Sequence, residues 1–469
     1  MPSSLRFFLL LFVLVTARFT ALAQLEKVIT YHDKEKTAIR ETYFVHPPDT
    51  LPHGKYQRFF PSGKLAALAR FNRGIQDSIY TEYYENGQLR VQIPYVAGKR
   101  QGPFKTFYPN GKVLQEGTFE NDQHSQAIKT YHENGQPKME ASFVAGAPEG
   151  EVKEYYPDGT LKSSVTYASN KQHGPAITNY PNGKRHTETR YKNGIIDGMY
   201  KTFYDNGQLE SEAMNVNGSR NGTYKSYYRS GKLKSETNYK TVTMTNPEEA
   251  KRASTSIVTG RELFQPKSTT SQVDGIAKTY YENGQLMSSI NYKTGVRDGL
   301  AQFFYETGKP KQEIRYSDNG ASRKIQSFYP SGNLHEEQQF TKEARTGDWK
   351  TYYDKPKVVK VKESYKNNKL EGERLLYHEN GQVQEKTTYV NGKITGSQWT
   401  YYPSGKVRSE TEYKNGLSNG AYKQYDEDGK PSVMGIYKNG KQSGTWKYLD
   451  ASGKTTKTEL FRNGQRVSQ

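Results

Sequence analysis

The stretch Gly222-Thr223-Tyr224-Lys225-Ser226-Tyr227-Tyr228, continued by Arg229-Ser230-Gly231-Lys232-Leu233, decides the fold. Its first seven residues are rich in aromatic and β-branched side chains, which suit a pleated, half-buried strand. Gly231 then supplies a residue for which positive φ carries no steric penalty, so the chain can turn back on itself. Beyond the turn, alternate positions repeat an apolar set: Leu89, Val91, Ile93 and Tyr95 in one copy, Leu286, Ser288, Ile290 and Tyr292 in another. Residues two apart share a face of a strand, so each such set is expected on one side of a sheet. One unit therefore reads as a β-hairpin.

The unit recurs. Turn glycines fall at Gly63, Gly87, Gly111, Gly135, Gly159, Gly183, Gly207 and Gly231, always 24 residues apart. The series resumes at Gly284, Gly308 and Gly332, then at Gly381, Gly405, Gly429 and Gly453. A second glycine series closes the units (Gly392, Gly416, Gly440, Gly464), and a third opens them (Gly54, Gly102, Gly222, Gly420). Two irregularities can be located. An extra 29 residues fall between Tyr239 and Gly275, inside one interstrand connection, and one extra residue accompanies the turn Tyr353-Asp354-Lys355-Pro356, which has lost its glycine. Strands joined in order by tight turns pair antiparallel. The expected fold is all-β: an elongated, single-layer antiparallel β-meander of about sixteen 24-residue hairpin repeats, twisted or curved.

Around the array the chain divides as follows. Residues 1–23 read as a signal peptide, with Arg6, an apolar run from Phe7 to Val15, and Ala21-Leu22-Ala23 before Gln24. The chain is therefore expected to be exported, to the periplasm, the cell surface or the medium. Residues 24–53 are an N-terminal cap or degenerate hairpin, 54–240 the first half of the array, 241–274 an insertion loop, and 275–469 the second half. The insertion is rich in Ser and Thr, holds Pro247 and Pro266, and reads as a flexible excursion. The sequence has no cysteine, which removes disulfides and thiolate metal sites from consideration.

Only 33% of the residues are apolar, yet 38 are tyrosine, so a thin tyrosine-packed sheet is expected rather than a thick aliphatic core. The formal charge is +19, and +17 once Arg6 and Arg18 are removed with the signal peptide. Lysines on solvated strand faces account for that balance, which also favours anionic partners.

No catalytic constellation interrupts the repeat. His132 and His378 occupy the same turn slot, the other histidines are scattered, and none has zinc-like spacing. Glu116, Glu140, Glu188, Glu236, Glu313 and Glu410 recur beside lysines and read as cross-strand charge pairs. The expectation is a non-enzymatic chain without metal or cofactor. Paired tyrosines place one ring on each face of the sheet, and most of that area is expected to serve as the core. The candidate binding surface is the row Tyr83, Tyr155, Tyr227, Tyr280, Tyr352 and Tyr401 with Lys105, Lys153, Lys225 and Lys278.

The string G-x-Y-K-x-Y-Y-x-N-G-x-L-x-x-E-x-x-Y-x-N-G, seen from Gly222 to Leu233 and again from Tyr401 to Gly416, resembles the bacterial MORN repeat variant. The resemblance runs from Gly54 to Gly464 apart from the insertion. It implies a single-layer sheet with an aromatic groove, used as a scaffold. Members bind proteins or phospholipids or dimerise end to end, and bacterial ones are often antitoxin-like. The expected function is thus an extracytoplasmic scaffold for protein–protein interaction. The alternatives are binding of anionic lipid headgroups or cell-envelope polysaccharide, and an antitoxin-like or immunity role. An unknown protein is the expected partner; anionic lipid or glycan and an end-to-end homodimer are further partner readings, and nucleic acid is not expected.

Overall fold

The structure, a computed structural model, describes residues 24–244 and 268–467. The signal-peptide segment 1–23 and the middle of the insertion lie outside these described residues. The chain divides into two compact units, Met1–Gly183 and Lys184–Gln469. Among the described residues each is all-β, and each strand pairs antiparallel with its neighbours in sequence, as in Gly222–Tyr227 with Leu233–Tyr239. In neither unit does the first strand meet the last, so each is an open meander of hairpins, as the repeat predicts. The N-terminal segment follows the same rule, with Glu26–Tyr31 paired to Ile39–Val45.

Two kinds of turn alternate. In the first, the carbonyl of Tyr84 accepts from the amide of Gly87 at 2.9 Å, and Tyr84 N–H donates to Gln88 at 2.8 Å. Asn86 completes it by accepting the Gln88 amide through Oδ1 at 3.0 Å. This geometry draws an extra residue into the second strand. Tyr83 faces Leu89 but Glu82 faces Val91, with Arg90 bulged between them. Tyr83 and Glu82 point to opposite faces, so Leu89 and Val91 do too. The expected set Leu89, Val91, Ile93 and Tyr95 is therefore corrected: the bulge removes Leu89 and leaves the other three.

The second turn is the two-residue Asn-Gly type, as at Asn415 (φ 53°) and Gly416 (φ 88°), both left-handed as such a hairpin requires. After it the ladder breaks again. Tyr413 faces Ser418 and Thr411 faces Tyr422, leaving Glu412 opposite three residues that include Gly420 at φ 135°. The glycine that opens each unit is thus a bulge residue. Where Arg323 stands in that slot, the ladder from Gln312–Ser327 to Ser317–Ser322 is unbroken, and the surplus residues move into a longer turn. A Cβ at Gly420 would stand 2.8 Å from the Cβ of Glu412, whereas nothing lies within 4 Å at Gly222. Gly420→Ala is expected to destabilise by about 1–2 kcal/mol from φ alone, with the Glu412 clash in addition. Gly222→Ala should lose only the φ contribution; urea denaturation of both variants checks the difference.

The insertion departs from expectation at its ends. Instead of leaving the sheet at residue 241, the chain continues pairing through Thr241–Ser271, Val242–Thr270, Thr243–Thr269 and Met244–Ser268. Five of these eight residues, Thr241, Val242, Thr243, Thr269 and Thr270, are β-branched and favour extended backbone, so they lengthen two strands, Leu233–Met244 and Ser268–Tyr280. The reading of 241–274 as a loop is corrected to that extent.

Candidate interaction surface

The register assigns the side chains to faces. Lys225 stands opposite Glu236, and Tyr227, two residues on, shares its face. Equivalent registers bring all ten candidate residues to equivalent places: Lys105, Lys153, Lys225 and Lys278 in one slot, and Tyr83, Tyr155, Tyr227, Tyr280, Tyr352 and Tyr401 in the slot beside it. The six tyrosines are half-buried.

A recurring carboxylate ties the slots together. Lys105 Nζ lies 3.0 Å from Glu116, and Lys129 lies 3.3 Å from Glu140, so two of the expected cross-strand charge pairs are present, while Glu313 accepts instead from the side-chain amide of Gln302 at 2.8 Å. Exposed pairs of this kind contribute little, ~0–1 kcal/mol each. The tyrosine of the following hairpin adds a hydrogen bond: Tyr131 to Glu116 at 2.6 Å, Tyr155 to Glu140 at 3.3 Å, Tyr227 to Glu212 at 2.9 Å and Tyr352 to Glu337 at 2.7 Å. Tyr83 and Tyr401 differ, because the corresponding residue of the preceding hairpin is Leu68 or Lys386. Lys153 instead pairs along its own strand with Glu151 at 3.0 Å.

These bonds shift the phenols. The hydrogen bond to Glu116 and then burial push Tyr131 up to about 12, and burial and then the bond to Glu212 push Tyr227 up to about 12. A phenol whose value is raised on folding stabilises the fold fully below its ordinary value of 10.0 and loses that contribution as it ionises. The melting temperature is expected to fall between about pH 10 and 12, and less steeply in the double variant Tyr131→Phe/Tyr227→Phe. Calorimetric melts across that window check it.

The second tyrosine of each pair serves the backbone. Tyr84 donates its hydroxyl to the carbonyl of Phe107 at 2.8 Å, Tyr108 to Tyr131 at 2.8 Å and Tyr329 to Tyr352 at 2.8 Å, each 23 residues on. Across the insertion the same bond joins Tyr228 to Tyr280, a separation of 52, and at the degenerate turn Tyr353 to Tyr377, a separation of 24. The surplus of 29 and of one matches the arithmetic of the glycines. His132 and His378 replace the tyrosine in this slot, donating Nε2–H to Tyr155 and Tyr401 at 3.0 and 3.1 Å, which confirms them as structural. Beside them, Asn86 and Asn380 donate to the next turn at Pro109 and Pro403 (2.9 and 2.7 Å), and Lys112 donates to Asn134 at 2.7 Å. The sequence carried a signal for this ladder, an aromatic or histidine before each turn up to Gly405, with Asp426 and Asp450 in that slot at the last two. The partner, a backbone carbonyl, leaves no trace in side-chain identity.

Burial concentrates on the opposite face. Its buried residues are Phe104, Phe119, Ile128 and Ala141 in the first unit, and Ala213, Ile314, Trp349, Thr387 and Trp446 in the second. Rings pair across hairpins, Phe104 with Phe119 at 4.5 Å and Trp446 with Tyr437 at 5.2 Å, at about 0.5–1.5 kcal/mol beyond area. The expectation of a tyrosine core is therefore corrected: among the described residues no tyrosine is fully buried, and the phenylalanine, tryptophan, isoleucine and small residues of this one face form the core, because a phenol keeps its hydroxyl at a polar partner. The first tyrosines of the pairs stay on the lysine side, where carboxylates hold the hydroxyls of Tyr155, Tyr227 and Tyr352. Among the described residues no group of His, Asp and Glu is placed to hold a metal.

The model of the MORN repeat variant matches nine tandem segments, residues 52–72, 76–97, 100–121, 127–145, 148–168, 172–193, 196–215, 220–241 and 273–294. The chain belongs to the MORN repeat variant family. Each matched MORN segment spans most of one hairpin unit described above, and the glycine periodicity carries the same unit on to Gly464. A second family model, described as that of an uncharacterised protein, matches residues 301–448 within the later MORN-like hairpins. No curated protein matches the chain. Among solved structures, the crystal structure of TcdB2-TccC3-TEV is similar at 12% identity over 93% of this chain and 26% of that one, with a TM-score of 0.14. The Tc holotoxin pore of Photorhabdus luminescens is similar at 10% identity over 94% and 30%, with a TM-score of 0.16. The MORN chain thus spans less than a third of those chains, and the likeness says nothing of its activity.

Proposed function

We propose that this chain is an exported, non-catalytic scaffold that binds a protein partner through the lysine–glutamate–tyrosine face of its MORN hairpins. The observation that carries the reading is the recurrence on one face of half-exposed tyrosines whose hydroxyls are held by carboxylates, as in Tyr155, Tyr227 and Tyr352. A fixed phenol presents an apolar ring without the entropy cost of ordering it, which is why tyrosine is enriched where proteins meet. Alternating lysine and glutamate around the rings supplies both signs of charge and so selects for a patterned protein surface. Sixteen near-equal units leave no place for a distinguished acid or base, in line with a binding role. Export rests on residues 1–23 and predicts a mature chain beginning at Gln24, which N-terminal sequencing of the extracytoplasmic fraction checks.

The test is a comparison of tagged chains recovered from the native envelope. The variant Tyr155→Ala/Tyr227→Ala/Tyr352→Ala should lose a partner that the unaltered chain retains in 0.5 M salt (roughly a 4 Å screening length), while its hairpins still melt cooperatively. Identical recovery by both chains would overturn the assignment of the surface.

A further inference from the structure

The two-residue turns late in the Lys184–Gln469 unit, Asn367-Asn368 and the Asn-Gly turns after it, carry a row of lysines that the fold leaves without ion pairs. Lys366 stands directly opposite Lys369 across one turn, and Lys438 directly opposite Lys441 across another. In the turns between them Lys393 faces Val390 and Lys414 faces Leu417. All six lysines are exposed. Like charges set opposite one another in a ladder are destabilising. Among the described residues none of the six forms an ion pair, whereas Lys386 and Lys457 pair with Glu373 and Glu459. Glu371, a carboxylate on this same edge, accepts from the backbone amide of Asn391 at 2.7 Å and forms no ion pair with any of the six.

The row is ordered as well as charged. The stems of Lys369, Lys393 and Lys441 run against the glycines of the following turns, with their Cβ atoms 3.7, 3.8 and 3.5 Å from where a side chain on Gly392, Gly416 and Gly464 would begin. Each hairpin advances by two strand spacings, so the cations recur at intervals of ~10 Å. Between them the turns present the exposed side-chain amides of Asn391, Asn415 and Asn439. The neighbouring rings of Tyr413 and Tyr437 alternate to the other face, away from the lysines.

We propose that this turn edge binds an acidic polysaccharide, with the lysines on its carboxylates or sulfates and the asparagine amides on its hydroxyls. The row is one turn wide and periodic along its length, which matches a linear chain and not the plane of a membrane. Amide groups between the cations suit a polymer whose charges are separated by hydroxyl-bearing rings. Single-stranded nucleic acid draws affinity from stacking on aromatic rings, and this edge offers none. Unsatisfied repulsion between facing lysines is relieved when an anion lies between them.

The test uses the full mature chain with heparin and polygalacturonate as acidic polysaccharides, and with dextran, phosphatidylserine vesicles and single-stranded DNA as comparisons. The edge variant Lys366→Gln/Lys369→Gln/Lys438→Gln/Lys441→Gln is set against Lys105→Gln/Lys153→Gln/Lys225→Gln/Lys278→Gln, which removes the same charge from the tyrosine face. The proposal expects binding to an acidic polysaccharide that weakens with salt, a loss of roughly tenfold or more in the edge variant, a clearly smaller loss in the face variant, and an unchanged or raised melting temperature in the edge variant. It is overturned if neither acidic polysaccharide binds at low salt, if the two variants lose equally, or if vesicles or DNA bind more tightly. The edge lies apart from the tyrosine surface, so failure here leaves the protein-binding reading standing, and the reverse also holds.

Discussion

Replacing Gly435 by valine is expected to destabilise the last hairpins by about 1–3 kcal/mol, the cost of overpacking a filled site. A side chain at Gly435 would begin inside the indole of Trp446, overlapping Cδ2 and Cε2 and standing 2.8 Å from Cε3. Trp446 cannot move away freely. It is 3% exposed and meets Tyr422 at 5.3 Å, Tyr437 at 5.2 Å and Phe461 at 6.1 Å. The complementary change, Trp446→Ala, should cost about 3–5 kcal/mol by leaving a hole of indole size. Because valine partly fills that hole, the double variant is expected to lose less than the two single changes together. Stability in a repeat array is nearly a sum of units and their interfaces, so the damage should stay local. Hydrogen exchange should quicken across residues 431–462 while amides near Arg185–Lys192 keep their protection; uniform loss of protection would contradict this account.

The second large effect concerns the tyrosine hydroxyls that join each hairpin to the next. Within one unit, Tyr204, Tyr281, Tyr305 and Tyr402 donate to the carbonyls of Tyr227, Phe304, Phe328 and Tyr425, each at 2.9 Å. Tyr→Phe keeps the ring and removes the donor, so each change should cost about 0.5–1.5 kcal/mol. Tyr204 and Tyr402 lie in hairpins apart from the other two, while Tyr281 and Tyr305 serve successive hairpins on different carbonyls; the effects should nearly add, to about 2–6 kcal/mol for the quadruple variant, with any coupling confined to the Tyr281–Tyr305 pair. Urea denaturation measures it, and the midpoint should fall with the slope unchanged, because no additional surface is exposed in the folded chain. A quadruple variant as stable as the parent would show that water replaces these hydroxyls without penalty. Tyr131→Phe and Tyr227→Phe, which remove phenols held by Glu116 and Glu212, act instead on the alkaline limb of stability.

Much of this molecule is legible in one dimension. A 24-residue period of glycines specifies turns, turns joined by short strands specify antiparallel neighbours, and an extra 29 residues can go nowhere but a single connection. The separations of 52 between Tyr228 and Tyr280 and of 24 between Tyr353 and Tyr377 repeat that arithmetic in hydrogen bonds. The lysine and tyrosine slots are also visible in sequence, because residues two apart on a strand share a face whatever else the chain does.

What the sequence could not decide lies where the alternation breaks. The bulge at Arg90 turns Leu89 away from Val91, and the bulge around Gly420 sets one residue opposite three. Both depend on backbone dihedrals and on which carbonyl meets which amide across strands, and no side-chain pattern encodes that directly. The unequal burial of the two faces is of the same kind. Position for position both carry aromatics, but on the buried one small residues such as Gly117, Ala213 and Gly435 leave room for the rings of the facing strands. Sequence alone therefore determined the repeat, the hairpin and the members of each slot. Tertiary structure decided which aromatics became core, which became hydrogen-bond donors to the backbone, and which lysines were left without a carboxylate, because each outcome depends on the neighbour supplied by the next hairpin.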